Sequence, residues 1–167
     1  FTKAPYPRIP YKESLLKYGS DKPDLRIPIE IFDITDLFNR GPMDKIKEVI
    51  ANKGVVRGLK CPGVANHPRS FFDGITNLVK DLKGAGVLYL CFMEDGSLKG
   101  PLAKFCDEKF AHELKTISQC TTGDAVFVMA GELQLTSKIM GHIRTKFADD
   151  LNLREKDTFK FCWIVDY

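Results

Sequence analysis

A short polar stretch near the start of the chain carries its densest set of chemically capable side chains. The sequence KYGSDKPDLR occupies residues 17–26, between two apolar segments. Its hydroxyls, carboxylates and basic groups can donate, accept and form ion pairs, which suits a recognition surface. The same composition suits a solvated turn, because Gly19 tolerates a positive φ and Pro23 favours extended backbone before it. The local chemistry leaves both interpretations open. The candidate contact residues of this stretch are Tyr18, Ser20, Asp21, Lys22, Asp24 and Arg26.

The rest of the sequence lacks the spacings of a complete active site. It contains no GxxxxGK[ST] phosphate loop, no GxSxG nucleophile elbow, and no HExxH or CxxC pattern. The glycines at 84 and 86 precede a predicted strand, whereas a dinucleotide fingerprint follows one. The three histidines, at positions 67, 112 and 142, are far apart. We therefore predict no catalytic, metal-binding or cofactor-binding residue in this chain.

Length and composition favour one globular domain. The 167 residues are 44% hydrophobic and 28% charged, which is near the average for soluble proteins. No apolar run approaches the roughly 20 residues that a bilayer span needs, and no signal peptide opens the chain. The five cysteines form an odd set without metal-like spacing, which favours reduced thiols. We expect a cytoplasmic protein with no membrane partner.

Basic residues are concentrated in the first half of the chain. Residues 1–84 hold 15 basic and 10 acidic side chains, against 10 and 12 in residues 85–167. On a half-buried strand, Arg57 would point opposite to Val56 and face solvent. Such an edge can meet phosphates without recognising bases, and the alternative is a solvated face that keeps the protein soluble. The candidate basic contacts are Lys53, Arg57, Lys60 and Arg69.

Hydrophobic periodicity predicts alternating helices and strands. Apolar side chains recur at helical spacing across residues 67–84 and 134–151. Nearly continuous apolar runs at 86–95 and 124–133 predict buried strands, and residues 158–167 resemble a closing strand. This order predicts an α+β two-layer sandwich, with a mixed or antiparallel sheet covered by helices on one face. The predicted core comprises Phe72, Ile75, Val79, Leu88, Leu90, Phe127, Val128, Ile139, Ile143, Phe147 and Trp163.

The opening polar stretch also carries a family resemblance. YGSDKPDLR, with Arg8 and Tyr11 before it, resembles a signature of bacterial-type aspartyl-tRNA synthetases, which are class II enzymes. The later segments VVRGLKCPG, GAGVLYLCF, GPLAKF and WIVDY resemble weaker patterns of the GAD domain inserted in those enzymes. The resemblance covers essentially the whole chain, although residues 63–83 depart from the polar helix start that is usual in the family.

The resemblance implies a division of the chain and a role for it. Residues 1–27 would be a catalytic-domain flank and linker, and residues 28–167 a GAD or DCoH-like insertion domain that ends in the strand re-entering the catalytic domain. The chain would then be a fragment that is itself non-catalytic and positions tRNA or supports the catalytic domain. Its entry and exit should be close together, and we expect Ile29–Phe32 to lie beside Phe161–Val165.

The resemblance also implies the chemistry of a parent enzyme. That parent would be an aspartate–tRNA ligase using ATP and Mg, with tRNA as partner, aspartate and ATP bound outside this chain, and a homodimeric assembly. Two alternatives remain, a related module of a tRNA-dependent amidotransferase subunit and a free-standing interaction domain. The synthetase-like stretch at residues 18–26 argues against the amidotransferase.

Overall fold

The computed structural model describes residues 1–167, which form seven strands and six α-helices. The strands are β1 (Arg8–Pro10), β2 (Phe32–Asp33), β3 (Val55–Cys61), β4 (Leu88–Phe92), β5 (Leu98–Lys99), β6 (Ala125–Gly131) and β7 (Trp163–Val165). The helices are α1 (Tyr11–Tyr18), α2 (Thr35–Asn39), α3 (Asp44–Ala51), α4 (Arg69–Asp81), α5 (Glu108–Ser118) and α6 (Leu133–Asp150). A single 3₁₀ turn covers Ala103–Phe105.

Five of the strands form one antiparallel sheet in the order β2-β3-β6-β4-β5. The longest pairing joins β3 to β6, with Val55 opposite Gly131 at one end and Cys61 opposite Ala125 at the other. Strand β4 pairs with the opposite edge of β6. The α+β class and the antiparallel sheet predicted from the sequence are confirmed.

Helices cover both faces of this sheet. On one face, Leu59 and Phe127 pack with side chains of α4 and α6, including Ile75 and Ile143. On the other, side chains such as Val126 pack against the short helices α2 and α3 and against α5. The expected helical layer on one face is present, but the two-layer description needs correction. Central strands that are apolar at nearly every position require cover on both sides, and helices of five and eight residues give little periodic signal.

The predicted core residues are buried, with two departures. Leu88 is half-buried, at the margin of the second cluster. Trp163 is 60% exposed, so its assignment to the core was wrong. The reason is that β7 pairs with β1 in a separate two-stranded sheet, which has no helix or second sheet packed over Trp163.

The two ends of the chain form a parallel ribbon, β1–β7, with Arg8 opposite Trp163 and Pro10 opposite Val165. Stacked rings extend it, since the centroids of Tyr11 and Tyr167 are 5.0 Å apart. The ends are therefore close together, as expected. The expected neighbour was wrong, because the residues near position 32 pair with β3 instead.

No helix of the chain combines the length and the apolar character needed to cross a membrane.

Two glycines allow α1 to reach the backbone of α6. Helix α1 ends at Gly19, which has φ 67° and donates its N–H to the carbonyl of Leu15 at 3.0 Å. A Cβ on Gly19 would lie 2.3 Å from the carbonyl oxygen of Ser137. A Cβ on Gly141 would lie 2.9 Å from the carbonyl oxygen of Gly19. The contact between the two helices therefore requires glycine on both sides.

This contact predicts opposite outcomes for two helix glycines. Gly141→Ala should destabilise the chain by about 1–3 kcal/mol, the usual cost of overpacking. Gly74→Ala should stabilise it by about 0.5–1 kcal/mol, since alanine is the better helix former and nothing lies within 4 Å of its new Cβ. Urea unfolding of both variants measures the difference. If Gly141→Ala and Gly74→Ala both raised stability by the same amount, close packing of α1 against α6 at Gly141 would be contradicted.

Candidate functional site

The polar loop that follows α1 lies against α6, and together they form an open cleft of about 450 Å³. Helix α6 contributes Lys138, His142 and Arg144 to its lining. The structure brings five of the six loop candidates to this cleft, whereas Arg26 does not line it. The five are Tyr18, Ser20, Asp21, Lys22 and Asp24.

Arg144 is the buried centre of this region. Its side chain is 2% exposed. Its Nε donates to the carbonyl of Ile29 at 2.6 Å, and its Nη2 donates to the carbonyls of Asp24 and Ile27 at 3.0 and 2.8 Å. The guanidinium also lies 4.8 Å from the ring centroid of Tyr18, a cation–π distance. One side chain thus holds both α1 and the loop.

Burial lowers the pKa of Arg144 below its ordinary value, while Tyr18, Asp24 and Glu30 favour its charged form. The three carbonyl dipoles stabilise the cation, since a buried charge must be paired or hydrogen-bonded. The sequence analysis missed this residue. A signal was present, because Met140 and Ala148 lie four residues to either side of Arg144 and continue an apolar row on α6.

Asp24 and Arg26 are paired with each other. Both Nε and Nη2 of Arg26 donate to the Asp24 carboxylate at 2.8 Å, and Nε of Arg154 donates to it at 2.8 Å. Hydrogen bonds from Arg26 and then from Arg154 hold the pKa of the Asp24 carboxyl well below its ordinary value, against the opposite effect of partial burial. These two candidates thus stabilise the loop from within.

The other charged candidates of the loop form no ion pair. Asp21 is half-buried and Lys22 is exposed, and neither lies within salt-bridge distance of an opposite charge. Ser20 forms two hydrogen bonds within this region. Its Oγ accepts from the N–H of Lys22 at 2.9 Å, and its carbonyl accepts from the Ser14 hydroxyl at 2.6 Å. Lys138, on the facing wall, is also exposed and unpaired.

The basic candidates around β3 do not form one surface. Arg57 is 8% exposed and lies on the same face of β3 as Leu59, which α6 covers. Its Nη1 is 2.7 Å from the Asp33 carboxylate, although not in hydrogen-bonding geometry. The expectation that Arg57 faces solvent was wrong, because it assumed a half-buried strand, whereas α6 covers this face of β3.

The remaining three basic candidates are separated or paired. Lys60 donates to the carbonyl of Gln119 at 3.0 Å and lies 3.5 Å from Asp124. Exposed Lys53 precedes β3, so the seven-residue strand places it roughly 20 Å from Lys60. Arg69 is exposed at the start of α4.

The structure contains no group of three or more histidine, cysteine, aspartate or glutamate side chains placed to share a metal ion. The cysteines are free, and burial raises the pKa of Cys91, Cys106 and Cys120 to about 11. These thiols are protonated at neutral pH, so they are poor nucleophiles.

Removing the buried cation should release the loop. Arg144→Met should lower the free energy of unfolding by about 3 kcal/mol or more, because three carbonyls lose their donor and each unsatisfied buried acceptor costs about 1–3 kcal/mol. Hydrogen exchange should then speed up in residues 24–31. Lys146→Met, on the same helix, removes only a surface pair with Asp150 and should cost no more than about 0.5 kcal/mol. Equal losses in both variants would contradict the role of Arg144.

The depressed pKa of Asp24 predicts a pH dependence. A carboxyl whose pKa is lowered on folding stabilises the protein above its ordinary pKa, and this stabilisation is lost as pH falls below that value. Wild-type stability should therefore decline as pH falls below about 4. Asp24→Asn should make that decline shallower while lowering stability at pH 7. Urea unfolding of wild type and Asp24→Asn at several pH values from below about 4 up to 7 measures the two declines. Asp81→Asn, which removes an exposed unpaired carboxylate, is the control for net charge, and an equally shallow decline in it would contradict the assignment.

The chain matches known proteins along nearly all of its length. It is 43% identical over 166 residues to an aspartate–tRNA(Asp/Asn) ligase of Orientia tsutsugamushi strain Boryong, and 44% identical over 166 residues to that of Rickettsia bellii strain OSU 85-389. An Ehrlichia canis strain Jake ligase of the same name is 43% identical over 162 residues. These alignments cover 97–99% of this chain but only 28% of each ligase.

A family model gives the assignment directly. The model described as the GAD domain matches residues 46–140, from the middle of α3 to the first half of α6. This range includes β3, β4 and β6, the three central strands of the sheet. Because the match extends over more than half of its residues, the chain belongs to the GAD domain family.

Proposed function

We propose that the chain is the insertion module of an aspartate–tRNA ligase. The observation that carries the proposal is the alignment of nearly the whole chain with a segment of ligases more than three times its length. The β1–β7 ribbon supports it, because an inserted module must leave and re-enter its host at neighbouring points. In this proposal residues 1–27 form the flank and linker, and residues 28–167 form the inserted domain.

The chemistry of the parent follows from its relatives. The parent activates aspartate with ATP and Mg and transfers it to tRNA, and ATP, Mg and aspartate bind outside residues 1–167. The relatives are named as ligases of tRNA(Asp/Asn), and we propose that this parent also charges both tRNAs. We further propose a cytoplasmic homodimer.

The module itself is non-catalytic and supports the catalytic domain through its ribbon. Exposed apolar surface of this kind marks interaction sites. Side chains on or beside the β1–β7 ribbon present rings to solvent while they stack in pairs, with centroids of Phe1 and Phe159 and of Tyr6 and Phe161 each 5.6 Å apart. The exposed rings are Phe1, Tyr6, Phe159, Phe161, Trp163 and Tyr167. We propose that they pack against the catalytic domain of the parent.

A chimera tests this function. The chain replaces the matching segment of the Rickettsia bellii ligase, and aspartate-dependent ATP–pyrophosphate exchange is measured. The chimera should be active, because 44% identity preserves the module and its attachment. The chain alone should be inactive. A chimera with Phe161→Glu and Trp163→Glu should lose activity, because charges would replace rings at the proposed contact.

Matched measurements separate function from folding. The control variant is Leu133→Glu, which changes another exposed apolar side chain, away from the ribbon. Phe71→Glu would not serve, because Phe71 packs on the core. The Leu133→Glu chimera should stay active. A folded but inactive wild-type chimera, or exchange activity in the isolated chain, would contradict the proposal.

A further inference from the structure

We propose that the cleft between α1 and α6 binds a phosphate of an RNA backbone, with Lys22 and Lys138 as the contacting cations. The choice of RNA rests on the proposed function, while the choice of site rests on the cleft itself. Lys138 lies on α6, the helix that faces the polar loop across the cleft.

The two lysines approach the cleft from opposite walls. Lys22 belongs to the loop and Lys138 to α6, and both line the same open space. Both are exposed and neither forms an ion pair. On α6, His142 and Thr145 follow Lys138 at spacings of four and seven residues, so the three share one helix face. Donors therefore line this wall of the cleft.

Arg144 adds a charge that is not fully used. Its Nε and Nη2 donate to three carbonyls, whereas its Nη1 donates no hydrogen bond. Arg144 is only 2% exposed, yet it lines the cleft. A cation held in low dielectric interacts more strongly with an anion than an exposed cation does. Its fixed position also removes the ordering cost that a free lysine pays.

The acidic residues of the cleft do not cancel this charge. Asp24 already accepts hydrogen bonds from Arg26 and Arg154, so its charge is compensated. Asp21 is the one remaining carboxylate among the lining residues. The cleft has a net positive charge, because this one carboxylate is set against three cations, Lys22, Lys138 and Arg144.

The aromatic rings favour recognition of the backbone rather than of a base. Bases bind single-stranded sites by stacking on open rings. Tyr18 is occupied by the Arg144 guanidinium and Tyr11 by Tyr167, with centroid distances of 4.8 and 5.0 Å. Phosphate contacts position a nucleic acid without specifying its sequence. The cleft therefore suits a backbone contact that is independent of sequence.

Salt-dependent binding tests the proposal on this chain. Fluorescein-labelled unfractionated tRNA is titrated with wild type, with Lys22→Gln/Lys138→Gln, and with Lys45→Gln/Lys80→Gln. The last variant removes the same charge from exposed positions outside the cleft. Wild type should bind with log affinity falling linearly against log salt. Since each neutralised phosphate contributes about 0.7–0.9 to that slope, and the two lysines share one phosphate, the cleft variant should bind more weakly, with a slope shallower by about 0.7–0.9. The control should match wild type.

The other outcomes are distinct. Equal binding by wild type and the cleft variant, with unchanged unfolding midpoints, would overturn the cleft as the site. No tRNA binding by wild type at low salt would overturn the RNA contact, whereas the ligase chimera described above would still decide the proposed function. Inorganic pyrophosphate is titrated by calorimetry as a second arm. Binding of pyrophosphate that is tighter than that of tRNA would assign the cleft to a free phosphate ligand and overturn the RNA proposal.

Discussion

A single buried guanidinium holds the start of the chain to the domain. Arg144 donates to three carbonyls between residues 24 and 29 and lies under the ring of Tyr18. The loop itself is polar, so backbone dipoles attach it, whereas the side chains of Ile27 and Ile29 that follow it pack in the core. The glycine contact between α1 and α6 places the helix end close enough for this to occur. The shape of the cleft, and the separation of its walls, follow from these two constraints.

The charges of the polar loop therefore divide into two kinds. Asp24 and Arg26 neutralise each other, with Arg154 added from beyond α6. Lys22 and Asp21 remain free at the cleft. The polar stretch is continuous in sequence, but part of it forms an ion pair within the loop and part of it carries charges without a partner. The two interpretations left open by composition each describe part of the same loop.

Periodicity predicted the parts of the fold that are long and strongly patterned. Helices α4 and α6 and strands β4 and β6 lie where the apolar repeats and runs placed them. The short helices over the second face were not assigned to it, because one or two turns carry almost no periodic signal. Trp163 was misplaced because hydrophobicity does not reveal which strand a segment pairs with.

The candidate site was predictable only in its composition. The loop residues were identified from their types, but their partners come from α6, more than a hundred residues later in the chain. The burial of Arg57 has the same origin, since it depends on which face of β3 the last long helix covers. Local sequence gives the donors and acceptors, while long-range packing decides which of them stay free.

The parallel pairing of β1 with β7 has a mechanical consequence. The chain enters the ribbon at Arg8 and leaves it after Val165, and these residues lie at opposite ends of the pairing. Tension applied across the two strands would act along the ribbon and load its hydrogen bonds together in shear, rather than opening them one at a time. Held in this way, the module would transmit a pull on either end to the other with little extension. The ribbon would thus resist separation of the two ends of the chain.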